Sequence, residues 1–377
     1  MLKKIISFVL SFAIFNAFAT VSNGASLGVS AQSAVLICVN SGDVLYSKNE
    51  NKRLPMASTT KIMTSLIALE AAMPEREIVV NKDMISVEGT SMGLLEGDSV
   101  SLFELVYGMM LQSGNDAANT VAYVLGGSPE GFAEMMNSRA KEIGMSNTNF
   151  VTPSGLDDEN HYSTAYDMAL LATECIKNPE FRSVCSQKSA KLTYGKPPYL
   201  RTLTNHNKLL WKYSDSIGIK TGFTKKSGRC LVSAAERNGI ILVAVTLNAG
   251  DDWNDHISMF EYGFSRCKSC EMSCDLSGVS LKIVGGDKAF VSLKLSRNCV
   301  YLSDKNCIFR LLLKPFEYAP INDGEIVGTA IFLNDGKVID EIPIITDGVV
   351  SVKHNSGKDK DDNNFLSDLI NRIKFMR

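Results

Sequence analysis

The chain has 377 residues, of which 45% are hydrophobic, so it is too long for one ordinary globular unit and too apolar for a disordered protein. Its formal net charge is -2, which does not favour nucleic-acid binding. We therefore expect two folded parts, and a small molecule or a polymer other than a polyanion as the partner.

The first residues predict a secretory signal peptide. Lys3 and Lys4 precede an apolar run from Ile5 to about Phe18, and small residues follow that run. The run is shorter than the roughly 20 apolar residues that span a bilayer. We expect residues 1–25 to direct export, which places the protein at the extracytoplasmic face of the membrane or outside the cell. An uncleaved anchor is the alternative.

The next part of the chain alternates between short strands and helices. The stretch "AVLICVNSGDVLYSKN" predicts two strands around a turn at Ser41–Asp43. Two more strands begin at Cys230 and Ile240, joined by a favoured Asn-Gly hairpin turn at 238–239. Helices are predicted at 58–73, 101–111, 115–125, 129–143 and 164–177. A sheet with helices against it is the simplest fold, and we assign this domain to residues 26–265.

A change in composition near residue 265 predicts a second domain. The segments "VSLKIV", "AFVSLKL", "IFRLLL" and "GTAIFL" are short β-patterns bounded by Gly or Asn/Asp-Gly turns. They predict a small all-β sandwich at 276–355. This part holds no cluster of candidate catalytic side chains, so we interpret it as a spacer or docking module.

The C-terminal residues 356–377 predict a charged linker and an amphipathic tail. The linker "NSGKDKDDNN" is too polar to form a packed core. In residues 365–377, apolar side chains recur at helical spacing among Arg372, Lys374 and Arg377. A basic amphipathic helix of this kind binds a membrane surface. Packing of the helix on the β-domain is the alternative.

Cysteine usage leaves the redox state open. The chain has nine cysteines, an odd number for an exported protein. Four lie in apolar runs and are expected to pack as small hydrophobes: Cys38, Cys175, Cys185 and Cys230. Five others could form disulfides, hold a metal or remain free thiols: Cys267, Cys270, Cys274, Cys299 and Cys307. We expect neither a metal nor a cofactor in the reaction.

The segment "MASTTKIMT" contains a candidate nucleophile. Ser58 lies at the predicted helix start, and Lys61 lies three residues later on the same helix face. A serine needs a proton acceptor, and a lysine serves once burial and a neighbouring cation lower its pKa to about 7, at a cost of roughly 4–5 kcal/mol. Alone, S-x-x-K fits equally well a capping serine with a solvated lysine.

A serine–histidine–aspartate arrangement is the other route to an active serine. The chain has four histidines, at positions 161, 206, 256 and 354. No aspartate is singled out by its context as the third member of such an arrangement. The lysine route is therefore the better prediction.

Two downstream motifs complete a candidate site. "QSGNDAANTV" puts Ser113 and Asn115 in a loop between two helices, where a hydroxyl can relay a proton and an amide can hold a substrate carbonyl. "IGIKTGFTKKSG" puts Lys220, Thr221 and Gly222 on a strand. There a cation and a hydroxyl can bind a carboxylate, while the glycine lets another backbone approach closely.

With these motifs the chain resembles the serine-type D-alanyl-D-alanine carboxypeptidases among the low-molecular-mass penicillin-binding proteins. The resemblance runs from about Ala31 to Val352 and includes "ASTTKIMT", "SGND", "PSGLDDENHYSTAYDMA", "GIKTGFT" and "APINDGEIVGT". It implies an α+β fold: a transpeptidase/β-lactamase-like catalytic domain with an antiparallel sheet and helices, followed by the small all-β domain. It also implies that the C-terminal helix is a membrane anchor.

The resemblance implies a role for each residue of the first two motifs. Ser58 would be the acylated nucleophile and Lys61 its proton acceptor. Ser113 would protonate the leaving D-alanine, and Asn115 would orient the peptide.

The third motif would bind the substrate end. Lys220 and Thr221 would hold the terminal carboxylate beside Gly222, and the N–H groups of Ser58 and Phe223 would form the oxyanion hole. Phe223 stands where relatives often carry His, so only its backbone role is carried over.

The implied substrate is a peptidoglycan stem peptide ending in D-Ala-D-Ala, and β-lactams would trap the same serine. A class A β-lactamase has similar motif spacing but needs a glutamate-positioned water. Between Pro153 and Asp167 the only glutamate is Glu159, which we expect to be solvated. A non-catalytic cell-wall-binding protein is the third alternative.

Overall fold

The computed structural model describes residues 27–270, 276, 278–297, 299–302, 307–334 and 337–353. The predicted signal peptide at 1–25, the tail at 356–377 and Cys274 lie outside the described residues. Among the residues that are described, no helix has the length and apolar character needed to cross a bilayer.

The first part of the chain mixes helices and strands. Its strands are β1 Ser33–Cys38, β2 Val44–Lys48, β3 Glu77–Val79, β4 Ser99–Ser101, β5 Ser189–Tyr194, β6 Tyr199–Thr204, β7 Ser216–Thr224, β8 Gly228–Arg237 and β9 Ile240–Ala249. Its helices are α1 Lys61–Glu70, α2 Lys82–Ile85, α3 Leu102–Gln112, α4 Asn115–Gly126, α5 Pro129–Ile143, α6 Ala165–Lys177, α7 Pro179–Cys185, α8 Leu209–Lys212 and α9 Asp252–Arg266. A single 3-10 turn, Ala57–Thr60, precedes α1.

A five-stranded antiparallel sheet lies at the centre of this part, in the order β2-β1-β9-β8-β7. Both of its faces are covered, because alternate residues of β1 belong to different cores. Val35 and Ile37 pack with α1, α3 and α6, whereas Leu36 and Cys38 pack with α9. The strand is therefore a continuous apolar run and forms the middle layer of three.

The predicted helices agree with the observed ones to within a few residues. α5 occupies the predicted residues 129–143, because Ser128 caps its first turn and Gly144 ends it with a φ of 91°. The helix predicted at 58–73 begins as the 3-10 turn and ends at Glu70. The predicted hairpin turn at 238–239 joins β8 and β9, with positive φ at both residues.

The sequence analysis did not predict α9. The apolar stripe of this helix is interrupted by Asp255 and His256, and both side chains are buried. The Asp255 carboxylate accepts hydrogen bonds from the Ser30 N–H and hydroxyl at 2.8 and 2.7 Å. The His256 ring is hydrogen-bonded to the hydroxyls of Ser233 and Thr246. Partners distant in sequence thus satisfy the two buried polar side chains of this helix.

The second part is all-β, as predicted. Its strands are β10 Cys267–Cys270, β11 Ser280–Val284, β12 Phe290–Leu295, β13 Cys299–Leu302, β14 Cys307–Leu313, β15 Glu317–Tyr318, β16 Ile326–Asn334 and β17 Lys337–Asp347. Six of these strands form one sheet, in the order β14-β16-β17-β12-β11-β15, and β10 pairs with β13. The sheet curls around a core of its own that includes Leu293, Phe332 and Ile344.

The cysteines of the first part pack as predicted. The thiols of Cys38, Cys175, Cys185 and Cys230 are free and buried. Cys270 and Cys299 face each other in the register of the β10–β13 pair. Within the described part of the chain, no group of His, Cys, Asp and Glu is arranged to hold a metal ion.

Candidate active site

A cavity of about 640 Å³ opens where β7, the 3-10 turn and the α3–α4 connection meet. The predicted site residues that line it are Ser58, Ser113, Asn115, Thr221, Gly222 and Phe223. Lys61 and Lys220 lie directly behind this surface, because their side chains are 0% and 1% exposed. All eight predicted residues therefore converge on one site, although they come from three separate parts of the chain.

The amine of Lys61 lies at hydrogen-bond distance from three oxygen acceptors. Its Nζ is 2.9 Å from Ser58 Oγ, 2.7 Å from Asn115 Oδ1 and 2.7 Å from the Ser154 carbonyl oxygen. A protonated amine donates to all three. A neutral amine donates to two and keeps a lone pair, which can then accept the Ser58 proton. The geometry therefore suits a base that takes a proton from the serine.

Burial and charge favour the neutral form of this lysine. Desolvation lowers the pKa of Lys61 well below its ordinary value of 10.5, and the charge of Lys220 lowers it further. The negative charge of Asp116 acts in the opposite direction and raises this pKa. Burial also lowers the pKa of Lys220 to about 7. Two buried amines, to which no carboxylate of the described residues is bonded, thus form the electrostatic centre of the site.

The α3–α4 connection positions the second motif. Ser113 ends α3 in the left-handed conformation, with a φ of 62°, and Asn115 begins α4. The Asn115 amide bridges two parts of the site, because its Oδ1 accepts from Lys61 and its Nδ2 donates to the Glu88 carbonyl oxygen at 2.6 Å. It therefore holds the lysine in place. The substrate-orienting role of Asn115 stays a prediction.

Strand β7 brings the third motif against the serine. A Cβ atom at Gly222 would lie 3.0 Å from the Met56 carbonyl oxygen and 3.1 Å from both Ser58 N and Thr59 N. Only a glycine lets the strand approach this closely without displacing the 3-10 turn. The next residue, Phe223, continues along the strand with its side chain 66% exposed.

Lys220 is buried and is not one of the residues that line the cavity. Its Nζ donates to the Thr221 carbonyl oxygen at 2.9 Å. Thr221, by contrast, lines the cavity. Lys220 therefore acts on the site chiefly through its charge.

Several cavity residues were not predicted. Arg229 forms an ion pair with Asp252 at 2.6 Å, and its guanidinium lies 5.8 Å from the ring centroid of Trp253. The glycine-rich segment that contains Gly89 and Thr90 forms another wall. The signal available for Arg229 was that it is a basic residue shortly after the KTG motif. The segment around Gly89 matches G-x-S-x-G at residues 89–93, which the sequence analysis overlooked.

The histidines do not support a serine–histidine pair. His206 lines the cavity, where burial and Lys220 lower its pKa. His161 is hydrogen-bonded to Thr60 Oγ1 at 2.8 Å, and its pKa is lowered to about 4 by burial. Within the described chain, the side chain that contacts the Ser58 hydroxyl is Lys61 and not a histidine.

The position of Glu159 bears on the lactamase alternative. This glutamate is exposed and lies beside Arg53 and Tyr162, in a different depression of the surface. The described acidic residue that lines the main cavity is Asp252, which is paired with Arg229. Glu159 is thus solvated, as predicted, and does not hold a water at Ser58.

Comparisons with known proteins agree with this geometry. The sequence profile of the D-alanyl-D-alanine carboxypeptidase family, peptidase S11, matches residues 19–251. The chain is 34% identical to D-alanyl-D-alanine carboxypeptidase DacF of Bacillus subtilis over 335 residues, which cover 83% of this chain and 84% of that protein. It is 32% identical to DacC of Escherichia coli over 351 residues, which cover 87% and 86% of the two chains.

Solved structures give the same result. Penicillin binding protein 5 of Haemophilus influenzae superposes with a TM-score of 0.62 at 27% identity, covering 86% of this chain and 98% of that one. The Streptomyces K15 DD-transpeptidase superposes with a TM-score of 0.60 at 30% identity, covering 63% and 98%. The protein therefore belongs to the D-alanyl-D-alanine carboxypeptidase family of serine hydrolases.

Proposed function

We propose that this protein is an exported carboxypeptidase that removes the terminal D-alanine from peptidoglycan stem peptides through an acyl-enzyme on Ser58. The observation that carries the proposal is the buried Lys61 amine, 2.9 Å from Ser58 Oγ, with a pKa lowered by burial and by Lys220. A serine hydroxyl with a neutral amine at hydrogen-bond distance is an activated nucleophile.

In the first half of the reaction, neutral Lys61 accepts the hydroxyl proton while Ser58 Oγ bonds to the carbonyl carbon between the two D-alanines. The N–H groups of Ser58 and Phe223 stabilise the oxyanion. The C–N bond then breaks, and the proton passes from Lys61 through Ser113 to the leaving amine, which returns Lys61 to its neutral form. This leaves an ester on Ser58 and a free D-alanine.

In the second half, water attacks the ester carbonyl and transfers a proton to the Lys61 amine. The C–O bond to Ser58 breaks, the serine regains a proton from the lysine, and the shortened peptide departs. Every step uses proton transfer and charge stabilisation by this chain's own residues. A β-lactam would acylate Ser58 by the same first half, and its ring-opened product would stay attached where deacylation is slow.

Recognition of the terminal carboxylate rests on Thr221 and Arg229 in this proposal. The family resemblance suggests Lys220 as well, but that amine is 1% exposed and bonded to a backbone carbonyl. Arg229 faces Phe223 in the β7–β8 register, lines the cavity, and has a side chain that is 44% exposed. A guanidinium oriented by Asp252 can bind a carboxylate with two parallel hydrogen bonds.

We further propose that the protein works at the extracytoplasmic face of the membrane. The supporting observations are the apolar N-terminal run and the basic amphipathic pattern at 365–377. The substrate class also requires this location, because cross-linked peptidoglycan lies outside the cell membrane.

A class A-like β-lactamase and a non-catalytic wall-binding protein are less well supported. The lactamase mechanism needs a carboxylate that positions a water at the ester, and Glu159 lies outside the cavity. A silent wall-binding protein would not need a serine hydroxyl and a buried amine at 2.9 Å.

The identity of the nucleophile is tested by Ser58→Ala. We expect the variant to lose both D-alanine release from a D-Ala-D-Ala peptide and covalent labelling by fluorescent penicillin, because the acylated oxygen is absent. Mass spectrometry of the wild-type adduct should place the β-lactam mass on the peptide that contains Ser58. Ser86→Ala, which removes an exposed hydroxyl outside the cavity, is the control and should retain both activities.

Three outcomes would change this assignment. Labelling or D-alanine release that persists in Ser58→Ala would exclude Ser58 as the nucleophile. Rapid multiple turnover of a chromogenic cephalosporin by the wild type would favour the lactamase. A wild type that is neither labelled nor active would favour the wall-binding protein.

The role of Arg229 is tested with a matched pair of substrates, a D-Ala-D-Ala peptide and its C-terminal amide. Arg229→Ala should lower kcat/KM for the free acid by about tenfold or more, because a charged hydrogen bond is lost. The same substitution should change kcat/KM for the amide little. Arg229→Lys should keep part of the preference for the acid. Arg76→Ala, an exposed arginine outside the cavity, should leave the acid-to-amide ratio unchanged.

The acid-to-amide ratio is the deciding quantity in this experiment. An equal fall for both substrates in Arg229→Ala would assign the arginine a structural role through Asp252. Unchanged kcat/KM values for both substrates would return the carboxylate contact to Lys220 and Thr221.

The proposed location is tested by removing residues 358–377. We expect the truncated protein to move from the membrane fraction to the soluble exported fraction, because the basic amphipathic sequence at 365–377 would supply the membrane contact. Retention of the full-length distribution would indicate that the tail packs on the protein instead.

A further inference from the structure

The segment Glu88–Leu94, "EGTSMGL", forms one wall of the active-site cavity through Gly89 and Thr90. It belongs to no helix or strand and connects α2 with β4. A connection without its own ladder of hydrogen bonds must find partners elsewhere if it is to keep one shape. Most of these partners belong to one side chain.

That side chain is Asp116, in the first turn of α4. Its Oδ1 accepts from Met92 N at 2.9 Å and from Ala117 N at 2.9 Å. Its Oδ2 accepts from Ser91 Oγ at 2.6 Å, Gly93 N at 3.1 Å and Leu94 N at 3.0 Å. The residue is 3% exposed. Four of these five donors lie in the wall segment, so a single buried carboxylate fixes its path.

Close packing supports the same attachment. A Cβ atom at Gly114 would lie 2.7 Å from Asp116 Oδ1 and 2.9 Å from Met92 N, so only glycine fits between the carboxylate and the segment. The side chain of Met92 covers Gly108 of α3 so closely that a Cβ atom there would overlap its sulfur. The wall segment therefore rests directly on the backbone that carries the second motif.

The wall segment in turn holds the residues of that motif. The Glu88 carbonyl oxygen accepts from Asn115 Nδ2 at 2.6 Å, and the Thr90 carbonyl oxygen accepts from Asn115 N at 2.7 Å. The Thr90 hydroxyl donates to the Ser113 carbonyl oxygen at 2.6 Å. These bonds turn Asn115 Oδ1 toward the Lys61 amine, which lies 2.7 Å away.

We propose that Asp116 is a positioning residue for the hydrolytic reaction: by fixing the segment Glu88–Leu94, it orients the Asn115 amide on Lys61 and shapes the cavity wall. The proposal rests on the proposed function of this site. Asp116 does not touch the substrate. It acts through two layers of hydrogen bonds, from its carboxylate to the segment and from the segment to Asn115.

The charge of Asp116 adds an electrostatic contribution. Its negative charge raises the pKa of Lys61 of α1, against burial and Lys220. It also raises the pKa of Tyr194 of β5, whose hydroxyl donates to the Met92 carbonyl oxygen at 3.0 Å. Removing the charge should therefore lower the pKa of Lys61, so the neutral amine should persist to lower pH.

The test is Asp116→Asn in the full-length protein, with acylation of Ser58 by a β-lactam followed as a function of pH. An asparagine nitrogen cannot accept a hydrogen bond, so the substitution removes an acceptor either for Met92 N, at the Oδ1 position, or for Ser91, Gly93 and Leu94, at the Oδ2 position. We expect acylation at neutral pH to slow by about tenfold to a hundredfold, as a small misplacement of catalytic groups does. We also expect the acid limb of the rate profile to move to lower pH.

The matched control is Asp167→Asn. Asp167 is also a buried aspartate in the first turn of a helix, and it accepts from Asn147 N and Thr148 Oγ1, both at 2.7 Å. It lies outside the cavity lining. We expect this variant to lose thermal stability but to keep the acylation rate and its pH profile.

The outcomes separate this proposal from the proposed function. If the wild type is not acylated at Ser58, the proposed function is wrong, and the positioning role that rests on it is wrong as well. If the wild type is acylated and Asp116→Asn matches it in rate and acid limb, the positioning role is overturned. Should Asp116→Asn not fold, Ser91→Ala decides, because it removes only one of the five donors. A several-fold slower acylation supports the proposal, and an unchanged rate overturns it.

Discussion

The amine of Lys61 is enclosed by protein, with oxygen acceptors from Ser58, Asn115 and Ser154, and no carboxylate in the described part of the chain is bonded to it. An uncompensated buried ammonium is costly, so the amine tends toward its neutral form. That tendency makes an ordinary serine reactive. The rest of the site follows from it, because each neighbouring element either encloses the amine or turns an acceptor toward it.

Two backbone segments that lie close to the site enclose this amine. β7 reaches the 3-10 turn of Ser58 because Gly222 has no side chain, and it carries Lys220, whose buried charge lowers the pKa of Lys61 further. On the other side, the segment 88–94 is fixed by Asp116 and closes over Asn115. Asp116 also keeps the pKa of Lys61 from falling as far as burial alone would take it. The reactive amine thus reflects a balance between these charges.

Much of the site and of the fold could be predicted from local signals in the sequence. Ser58, Lys61 and the KTG motif were found because a nucleophile, its base and a carboxylate-binding strand have recognisable spacing, and α5 because its cap, periodicity and terminal glycine coincide. Arg229 and the segment around Gly89 were missed because their roles depend on contacts across the chain. The same holds for α9, whose buried Asp255 and His256 are satisfied by distant partners.

The central claim is that neutral Lys61 is the base. The most direct measurement is the rate constant for acylation of Ser58 by a β-lactam between about pH 4 and 10, in the wild type and in His206→Gln. The account predicts that both proteins lose activity on acidification, with an apparent pKa well below the ordinary lysine value of 10.5. An acid limb that disappears in His206→Gln, or a rate that continues to rise to pH 10, would contradict it.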